Sequence, residues 1–403
     1  MFVYSINAAP ACRVLGLILA LILAAAGCGR ETGASRAEVE RVLHASWESY
    51  RQQFISPEGR VVIPERGGDS ISEAQAYALL RAVWAGDGAT FNRVYAWTWR
   101  HLSRQEKLGD GLLAWHWGRL QDGSWQVRDW NTASDGDLDY ALALILAARR
   151  GWQPRPGLPD YQEEAGRVLA AILALETVQL PGGALLLTPG NWHEKRPPYL
   201  VNPSYFSPAA YRLFERLQPG RGWLRLRDST YELLARLTRG LGEEKGAGLF
   251  PDWCRVDGQA RLGPAAGRDS HFGWEAVRLP WRLALDSLWF KEERATHLLS
   301  QDFLPFFKKE WQSRGRLAAV YTYAGVAQVS YESPVLYAGV LAAALAARDQ
   351  PFARQMAEKI LSFYRQEGGQ AYFVTPDNYY ANNWAWLGLA LYAGWVKAEE
   401  FGN

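Results

Sequence analysis

The sequence predicts an all-α protein built as an (α/α)6 barrel, with an inner ring of helices standing inside an outer ring. Apolar residues recur with helical spacing in about twelve stretches of the 403-residue chain. Segments with strand character are few and short, such as 126–128 and 184–187. Several helical stretches, including 140–148 and 335–347, are apolar around much of their circumference, which is typical of helices buried on two sides.

The helical stretches are separated by turns rich in glycine and proline, such as Pro181-Gly182 and Pro219-Gly220. They cover residues 37–53, 73–84, 89–103, 137–150, 160–175, 207–217, 227–241, 274–290, 294–310, 334–348, 351–366 and 384–398. No segment has the composition of an interdomain linker, so we predict a single domain over residues 37–403. An open α-solenoid is the alternative, but solenoids are built on a repeat period and none is visible.

Composition excludes several classes of protein before any motif is considered. The chain carries 44 Lys and Arg against 42 Asp and Glu, and this even balance gives no electrostatic basis for binding nucleic acid. Hydrophobic residues make up 48% of the chain, enough to bury a large core and to exclude a disordered protein. The 19 Trp, 19 Tyr and 15 Phe exceed what a core requires. We therefore expect some of these rings to pave a binding surface.

The N-terminus has the pattern of an export signal. Arg13 precedes an apolar run of about 13 residues, too short to span a bilayer comfortably but suited to the core of a signal peptide. The run ends at Ala25-Ala26-Gly27-Cys28, which resembles a bacterial lipobox except that Ala25 replaces the usual leucine. We predict removal of residues 1–27, lipidation of Cys28 and a short tether over 28–36. The protein would then lie at the cell envelope, touching the membrane only through its lipid; an ordinary secretory signal is the alternative.

Three cysteines are too few for a disulfide framework. With Cys12 removed and Cys28 lipidated, Cys254 is the remaining thiol, so no intramolecular disulfide is expected. The cysteines and histidines lack the spacing of metal ligands, and we predict neither a metal nor another cofactor.

Two segments place carboxylates at the start of a predicted helix. In residues 68–77, Glu73 lies in the first turn, and a capping box with Ser70 is the structural alternative. In residues 129–141, three aspartates alternate just before an apolar helix, which is more than capping needs. Their spacing lacks the twelve-residue pattern of a calcium loop.

A third segment, residues 270–282, combines charge with aromatic rings. Glu275 and Arg278 are three residues apart and share a helix face. A solvated ion pair is the structural alternative. The neighbouring histidine and two tryptophans argue against an ordinary surface.

These segments resemble the motifs of glycoside hydrolase family 8. Residues 72–77 are similar to its Ser-Glu-Gly-Gln-x-Tyr motif, with Ala74 in place of glycine, and residues 133–141 resemble its Asp-rich signature. Residues 202–209 match a further motif, and 275–282 are similar to its Asp-Ala-x-Arg-x-Pro-Trp-Arg segment. The four occur in the family's order over roughly residues 65–385. The resemblance implies an (α/α)6 barrel and the inverting hydrolysis of β-1,4 glycans such as cellulose, chitosan, xylan or mixed β-glucan.

The resemblance also implies roles for single residues. Glu73 matches the general acid, and Asp135 matches the aspartate that binds and distorts the sugar at the cleavage point. Tyr205 matches the tyrosine beside the attacking water, and Arg278 the arginine that supports the base. Tyr380, or Tyr379 before it, lies where members carry a further active-site tyrosine.

The general base is less clear from the sequence. Glu275 falls where many family members have aspartate, so its carboxylate reaches one methylene further. Asp137, Asp286 and Glu332 therefore stay open as alternative bases.

Sugars present C–H faces on which aromatic rings stack. The candidate rings near the motifs are Trp115, Trp117, Trp130, Trp192, Tyr205, Trp253 and Trp274. Trp130 is favoured because it adjoins the aspartates in a loop. Trp84, Trp97 and Trp99 lie within helices and are expected to pack between the two rings of the barrel. The predicted substrate-binding residues are Trp115, Trp130, Asp137, Tyr205, Arg278 and Tyr380, and the predicted catalytic residues are Glu73, Asp135 and Glu275.

Together these observations predict an exported, lipid-anchored, inverting endo-β-1,4-glycanase that acts as a monomer on cellulose-like glucan. Inversion requires one protonated and one ionised carboxyl, roughly 6.5–9.5 Å apart with water between them. Chitosanase or xylan-directed activity is the second reading, although the even charge balance gives little support to a chitosan groove. A non-catalytic glycan-binding lipoprotein of polysaccharide secretion and a polysaccharide lyase on a similar barrel are further alternatives.

Overall fold

The computed structural model describes residues 35–398 of the chain. The predicted signal peptide, Cys28 and all but the last two residues of the predicted tether lie outside the described residues. The described α-helices, in chain order, are α1 (Arg36–Phe54), α2 (Ser72–Ala85), α3 (Gly88–Leu102), α4 (Gln105–Leu108), α5 (Ser134–Arg149), α6 (Tyr161–Leu175), α7 (Pro208–Leu217), α8 (Trp223–Leu237), α9 (Leu279–Phe290), α10 (Glu293–His297), α11 (Leu304–Arg314), α12 (Pro334–Ala346), α13 (Gln350–Ser362) and α14 (Tyr379–Tyr392). None of these helices is long and apolar enough to cross a membrane.

The helices form two concentric rings, as the sequence predicts. The inner ring runs α2, α5, α7, α9, α12 and α14, each helix contacting the next, and α14 returns to α2 to close it. The outer helices α1, α3, α6, α8, α11 and α13 alternate with them along the chain. Apart from α7, which keeps a charged and partly exposed face, the inner helices are buried on nearly all sides because neighbours in both rings cover them. The predicted (α/α)6 barrel is confirmed.

The strands are short and lie in the connections between helices. All strand pairs are antiparallel. One three-stranded sheet has the order β1 (Ser70–Ile71), β2 (His116–Arg119) and β3 (Trp125–Asp129). The others are formed by β4 (Thr177–Gln179) with β5 (Leu185–Leu187), by β6 (Tyr199–Val201) with β9 (Cys254–Val256) and β10 (Leu262–Gly263), by β7 (Gly240–Leu241) with β8 (Glu244–Lys245), and by β11 (Tyr364–Glu367) with β12 (Gln370–Phe373). The two segments with predicted strand character lie in β3 and β5.

Aromatic rings fill the interior of the inner ring. Trp84 of α2 meets Trp281 of α9 with ring centroids 5.7 Å apart, and Trp281 meets Trp384 of α14 at 5.8 Å. Tyr77 continues the chain of rings towards one end of the barrel, 5.7 Å from Trp384. The predicted position of Trp84, between the two rings of the barrel, was therefore wrong. It is buried, but inside the inner ring, because it faces a helix from across the ring and not an outer helix.

The other two tryptophans that were predicted to pack between the rings of the barrel belong to the outer helix α3. Trp97 is buried against Trp117 of β2, with the ring centroids 5.5 Å apart. Trp99 is half-buried at the edge of the core. Trp97 therefore packs the outer layer against its connecting sheet.

Candidate active site

A cavity of about 400 Å³ lies at the barrel end where inner helices begin. Its wall contains the first residues of α2, α5 and α14, together with side chains from two 3₁₀ turns, Pro203–Tyr205 and Ala276–Arg278. Seven of the nine predicted catalytic and substrate-binding residues line it: Glu73, Trp115, Asp135, Tyr205, Glu275, Arg278 and Tyr380. Helix N-termini carry partial positive charge, so this end of the barrel suits carboxylates.

Glu73 is placed by the junction of β1 and α2. The N-cap residue of α2 is Ile71, whose extended backbone comes straight from the strand and whose side chain forms no cap. Ser70 instead donates its hydroxyl to the carbonyl of Val61. The capping-box alternative is therefore wrong, and the Glu73 carboxyl is free to accept a hydrogen bond from Arg278.

Asp135 reaches Glu73 because glycine follows it. A Cβ on Gly136 would lie 2.5 Å from the hydroxyl oxygen of Ser72 and 2.9 Å from the backbone nitrogen of Glu73. Only a residue without a side chain allows the start of α5 to approach the start of α2 so closely. This approach brings the Asp135 carboxyl beside Glu73, where both accept from the same nitrogen of Arg278.

Arg278 is the centre of the charge arrangement and is only 2% exposed. Its Nη1 donates to Glu73 and, at 3.0 Å, to Asp135. Its Nη2 donates to Glu275 and, at 2.8 Å, to the hydroxyl of Ser204. The guanidinium thus stands between Glu275 on one side and the two other carboxyls on the other. One terminal nitrogen therefore contacts Glu73 and the other contacts Glu275.

The two glutamates differ in their partners. Burial raises the pKa of Glu73 to about 8, with repulsion from Asp135 and Glu275 adding to the rise and Arg278 opposing it. Glu73 is therefore protonated at neutral pH, as a general acid must be. Glu275 is about one third exposed to the cavity and accepts hydrogen bonds from Arg278 and from Asn202 Nδ2 at 3.0 Å. Since both partners are donors, they match an ionised carboxylate.

Comparison with known proteins identifies the family of this chain. The profile of Glycosyl hydrolases family 8 matches residues 17–382. The chain belongs to this family. Endoglucanase A of Acetivibrio thermocellus is 30% identical over 330 residues, which cover 80% of the chain and 64% of that relative. The match thus spans just under two thirds of that relative's length.

Solved structures share the fold. The endo-1,4-D-glucanase of Vibrio fischeri ES114 superposes with a TM-score of 0.69 at 24% identity, covering 86% of this chain and 94% of its own. The β-1,3-1,4-glucanase of Paenibacillus sp. X4 gives a TM-score of 0.72 at 20% identity, covering 89% and 93%. At such identities the likeness establishes the barrel and nothing about substrate.

The alternative bases of this family 8 protein all lie away from the cavity wall. Asp286 is fully buried, with Arg212 2.7 Å away and the hydroxyl of Tyr231 donating to it. Glu332 pairs with Lys359 at 2.8 Å. The third, Asp137, is buried in a different network. Glu275 is thus the base candidate that faces the cavity.

Asp137 does not reach the cavity, so its predicted contact with substrate is not supported by the structure. It lies two residues after Asp135 in a helix, and two residues turn a helix by roughly 200°. Its Oδ1 instead accepts the backbone N–H of Leu113 at 2.8 Å, and it lies beside Glu176. Burial and repulsion from Glu176 raise the pKa of Asp137 well above its usual range, and burial raises the pKa of Glu176 to about 8.

We expect Asp137→Asn to protect the fold at alkaline pH. A carboxyl whose pKa is raised on folding costs little stability below its unfolded pKa, and the cost grows as pH rises from there towards the raised folded pKa of Asp137. The amide can still accept from Leu113 but cannot become a second buried charge. Melting temperatures of parent and variant should be similar at pH 5 and diverge at pH 9, with the variant about 2 °C or more higher. A difference in melting temperature that stays the same at all pH values would contradict the pairing of Asp137 with Glu176.

Trp130, the favoured stacking ring, does not line the cavity. It lies in the loop after β3, where the ammonium of Lys107 sits 4.1 Å from its ring centroid and Arg104 donates to its carbonyl. The Lys107 ammonium covers one face of the Trp130 ring. Adjacency to the aspartates in the sequence was therefore a misleading sign that Trp130 lines the cavity. Trp115 and Trp274 are the tryptophans on the cavity wall, and Trp274 is 43% exposed.

Two supporting residues received no role from the sequence. Asn202 opens one of the matched motifs and contacts Glu275. The Asp252 carboxyl accepts three backbone N–H groups at the turn that carries the base: those of Gly273, Glu275 and Ala276, at 3.1, 3.0 and 2.6 Å. Burial raises the pKa of Asp252 to about 7, although these N–H groups oppose the rise. Neither contact could be read from the spacing of residues in the sequence, because each joins segments that are more than 20 residues apart.

Proposed function

We propose that this family 8 protein is an inverting endo-β-1,4-glycanase acting on cellulose-like glucan. The arrangement around Arg278 carries the proposal: a protonated Glu73 on one side of the guanidinium and an acceptor-only Glu275 on the other. Two acidic groups in opposite protonation states, facing one cavity, are what hydrolysis of a glycosidic bond requires. The relative named Endoglucanase A supports the same reaction class.

In the proposed reaction Glu73 donates its proton to the glycosidic oxygen while the bond to the anomeric carbon breaks. A water between Glu275 and the opposite face of the sugar attacks that carbon and gives its proton to Glu275. Asp135, beside the acid, is placed to accept hydrogen bonds from the distorted sugar and to stabilise the positive charge that develops. Proton loss from Glu275 and proton gain by Glu73 restore the starting state.

A neutral glucan is the substrate we favour. The cavity wall offers the rings of Trp115, Trp274 and Tyr380 for stacking. Tyr380 donates its hydroxyl to the backbone carbonyl of Trp274, and the centroids of the two rings lie 6.3 Å apart. The cavity wall carries Glu65, Glu73, Asp135 and Glu275 against Arg66 and Arg278, so chitosan is kept in the substrate panel.

The substrate test is anomer-resolved NMR on cello-oligosaccharides, mixed-linkage β-glucan, xylan and chitosan. We expect fastest cleavage of the β-1,4-glucan and an α-anomer as the first product. A β-anomer would overturn inversion, and faster cleavage of xylan or chitosan would reassign the substrate. Absence of hydrolysis on every polymer, with binding retained, would favour the glycan-binding alternative. A product with ultraviolet absorbance would indicate a lyase.

We further propose export and anchoring through Cys28, on the strength of the apolar run and the lipobox-like sequence before it. Cys28→Ser is expected to move the protein from the membrane fraction to the soluble fraction of the cell envelope. Mass spectrometry of the parent's N-terminal peptide should show an acylated Cys28. Equal fractionation of parent and variant would reject the anchor and leave a cleaved secretory signal. We propose a monomer because one chain supplies every group of the site, and light scattering in solution tests it.

A further inference from the structure

We infer that Asn202 is a positioning residue for the general base, holding Glu275 in its ionised form and tying it to the turn that carries Tyr205. The inference rests on the proposed hydrolysis. Asn202 follows β6 directly and is 2% exposed, so its amide has no solvent to satisfy it. Both ends of the amide are used within the site.

The oxygen of the Asn202 amide caps the 3₁₀ turn Pro203–Tyr205. It accepts the backbone N–H of Ser204 at 3.0 Å and the hydroxyl of Ser204 at 2.7 Å. A backbone N–H can only donate, so this end of the amide must be the oxygen. The other end, Nδ2, is therefore the one that faces Glu275, 3.0 Å from Oε2. The contacts themselves fix the orientation of the amide.

The contacts close into a ring of four side chains. Since Ser204 gives its one hydroxyl proton to Asn202, its oxygen accepts from Arg278 Nη2 at 2.8 Å. The same Nη2 donates to Glu275, which also accepts from Asn202. Every direction in the ring is thus determined, and Glu275 Oε2 meets two donors. A proton on that oxygen would face donors and find no acceptor, so the ring keeps Oε2 unprotonated and oriented as an acceptor.

The same amide links the base to Tyr205. Tyr205 is the third residue of the capped turn, lines the cavity and lies with its ring centroid 5.2 Å from the guanidinium carbon of Arg278. Glutamate has one more rotatable bond than the aspartate usual at this position, so its carboxylate needs fixing if a water is to be held. Asn202 supplies that fixing by joining Glu275 and the Tyr205 turn through a single planar group.

Asn202→Asp tests the inference because aspartate keeps the capping oxygen, replaces the amide donor with a second oxygen and adds a negative charge. We expect kcat to fall by about tenfold or more, with KM changed less than about twofold. A second carboxylate facing Glu275 favours its protonation, so the acid limb of the kcat/KM profile should move up by about one pH unit. Asn202→Ser, which also keeps a cap but adds no charge, should lower kcat with a smaller shift of the acid limb.

Asn378→Asp is the matched control, since Asn378 caps α14 through the N–H of Ala381 at 2.9 Å. It should show the parental pH profile. If the parent is active and both Asn202 variants keep the parental kcat and acid limb, Asn202 is only a cap and the inference is overturned. If the parent hydrolyses no glycan, the proposed function fails and the inference falls with it. If circular dichroism shows that Asn202→Asp has a lower melting temperature than the parent, the kcat and acid limb of Asn202→Ser decide whether the inference holds.

Discussion

Replacing Glu73 with glutamine is expected to lower kcat on cello-oligosaccharides by about 10²–10⁴-fold while leaving KM nearly unchanged. Glutamine has the shape of the buried acid but no proton to give to the leaving oxygen. Because Glu73 makes its transition-state contribution through that proton, binding of the glucan should persist. The loss should shrink sharply on an aryl cellobioside whose phenol leaves without protonation.

The dependence on the leaving group separates catalysis from damage to the fold. A misfolded variant would lose both substrates equally. Glu106→Gln, on the exposed helix α4, controls for the loss of one carboxylate and should behave as the parent. Parental rates for Glu73→Gln on unactivated oligosaccharides would remove Glu73 from the role of acid.

The pH profile follows from the same group. The pKa of Glu73 is about 8, so kcat of the parent should fall as pH rises through that value. A raised carboxyl pKa also means that folding is favoured below the unfolded pKa and loses stability as pH rises through the folded value. Glu73→Gln should therefore melt higher than the parent at pH 9 and similarly at pH 5. An active site that costs stability is common where function requires a buried acid.

The barrel could be predicted from the sequence because its signals are local. Each of these signals lies within a stretch of about 15 residues. They are helical periodicity, turns of glycine and proline, and helices that are apolar around much of their circumference. Glu73, Asp135 and Arg278, selected by resemblance to the family's motifs, lie together at the starts of inner helices α2, α5 and α9. The alternation of aspartates at 135 and 137 was misread, since alternate residues share a face in a strand and not in a helix.

What the sequence could not predict depends on close approaches between distant segments. Gly136 gives no sign that Ser72 and Glu73 lie against it. Nothing near Trp130 indicates that Lys107 lies over its ring, because Lys107 belongs to a separate short helix. Such contacts arise only once the two rings of helices have set the loops at one end of the barrel.

Removing the carboxylate of Glu275, as in Glu275→Ala, is expected to lower kcat by about 10²–10⁴-fold, because this carboxylate is the group proposed to take the proton of the attacking water. A small anion that needs no deprotonation should restore cleavage. Added azide is expected to give an α-glycosyl azide, the inverted product, detectable by NMR. Glu73→Gln should show no such recovery, since its defect is in the leaving group.

The variant also tests the coupling through Arg278. Repulsion from Glu275 is one of the causes that raise the pKa of Glu73, so its removal lets Arg278 act more strongly on the acid. The alkaline limb of the azide-supported reaction should therefore move to lower pH than in the parent. Full activity of Glu275→Ala without azide would assign the base elsewhere. Because Asp137, Asp286 and Glu332 lie in other networks, that result would require the barrel end to rearrange when glucan binds.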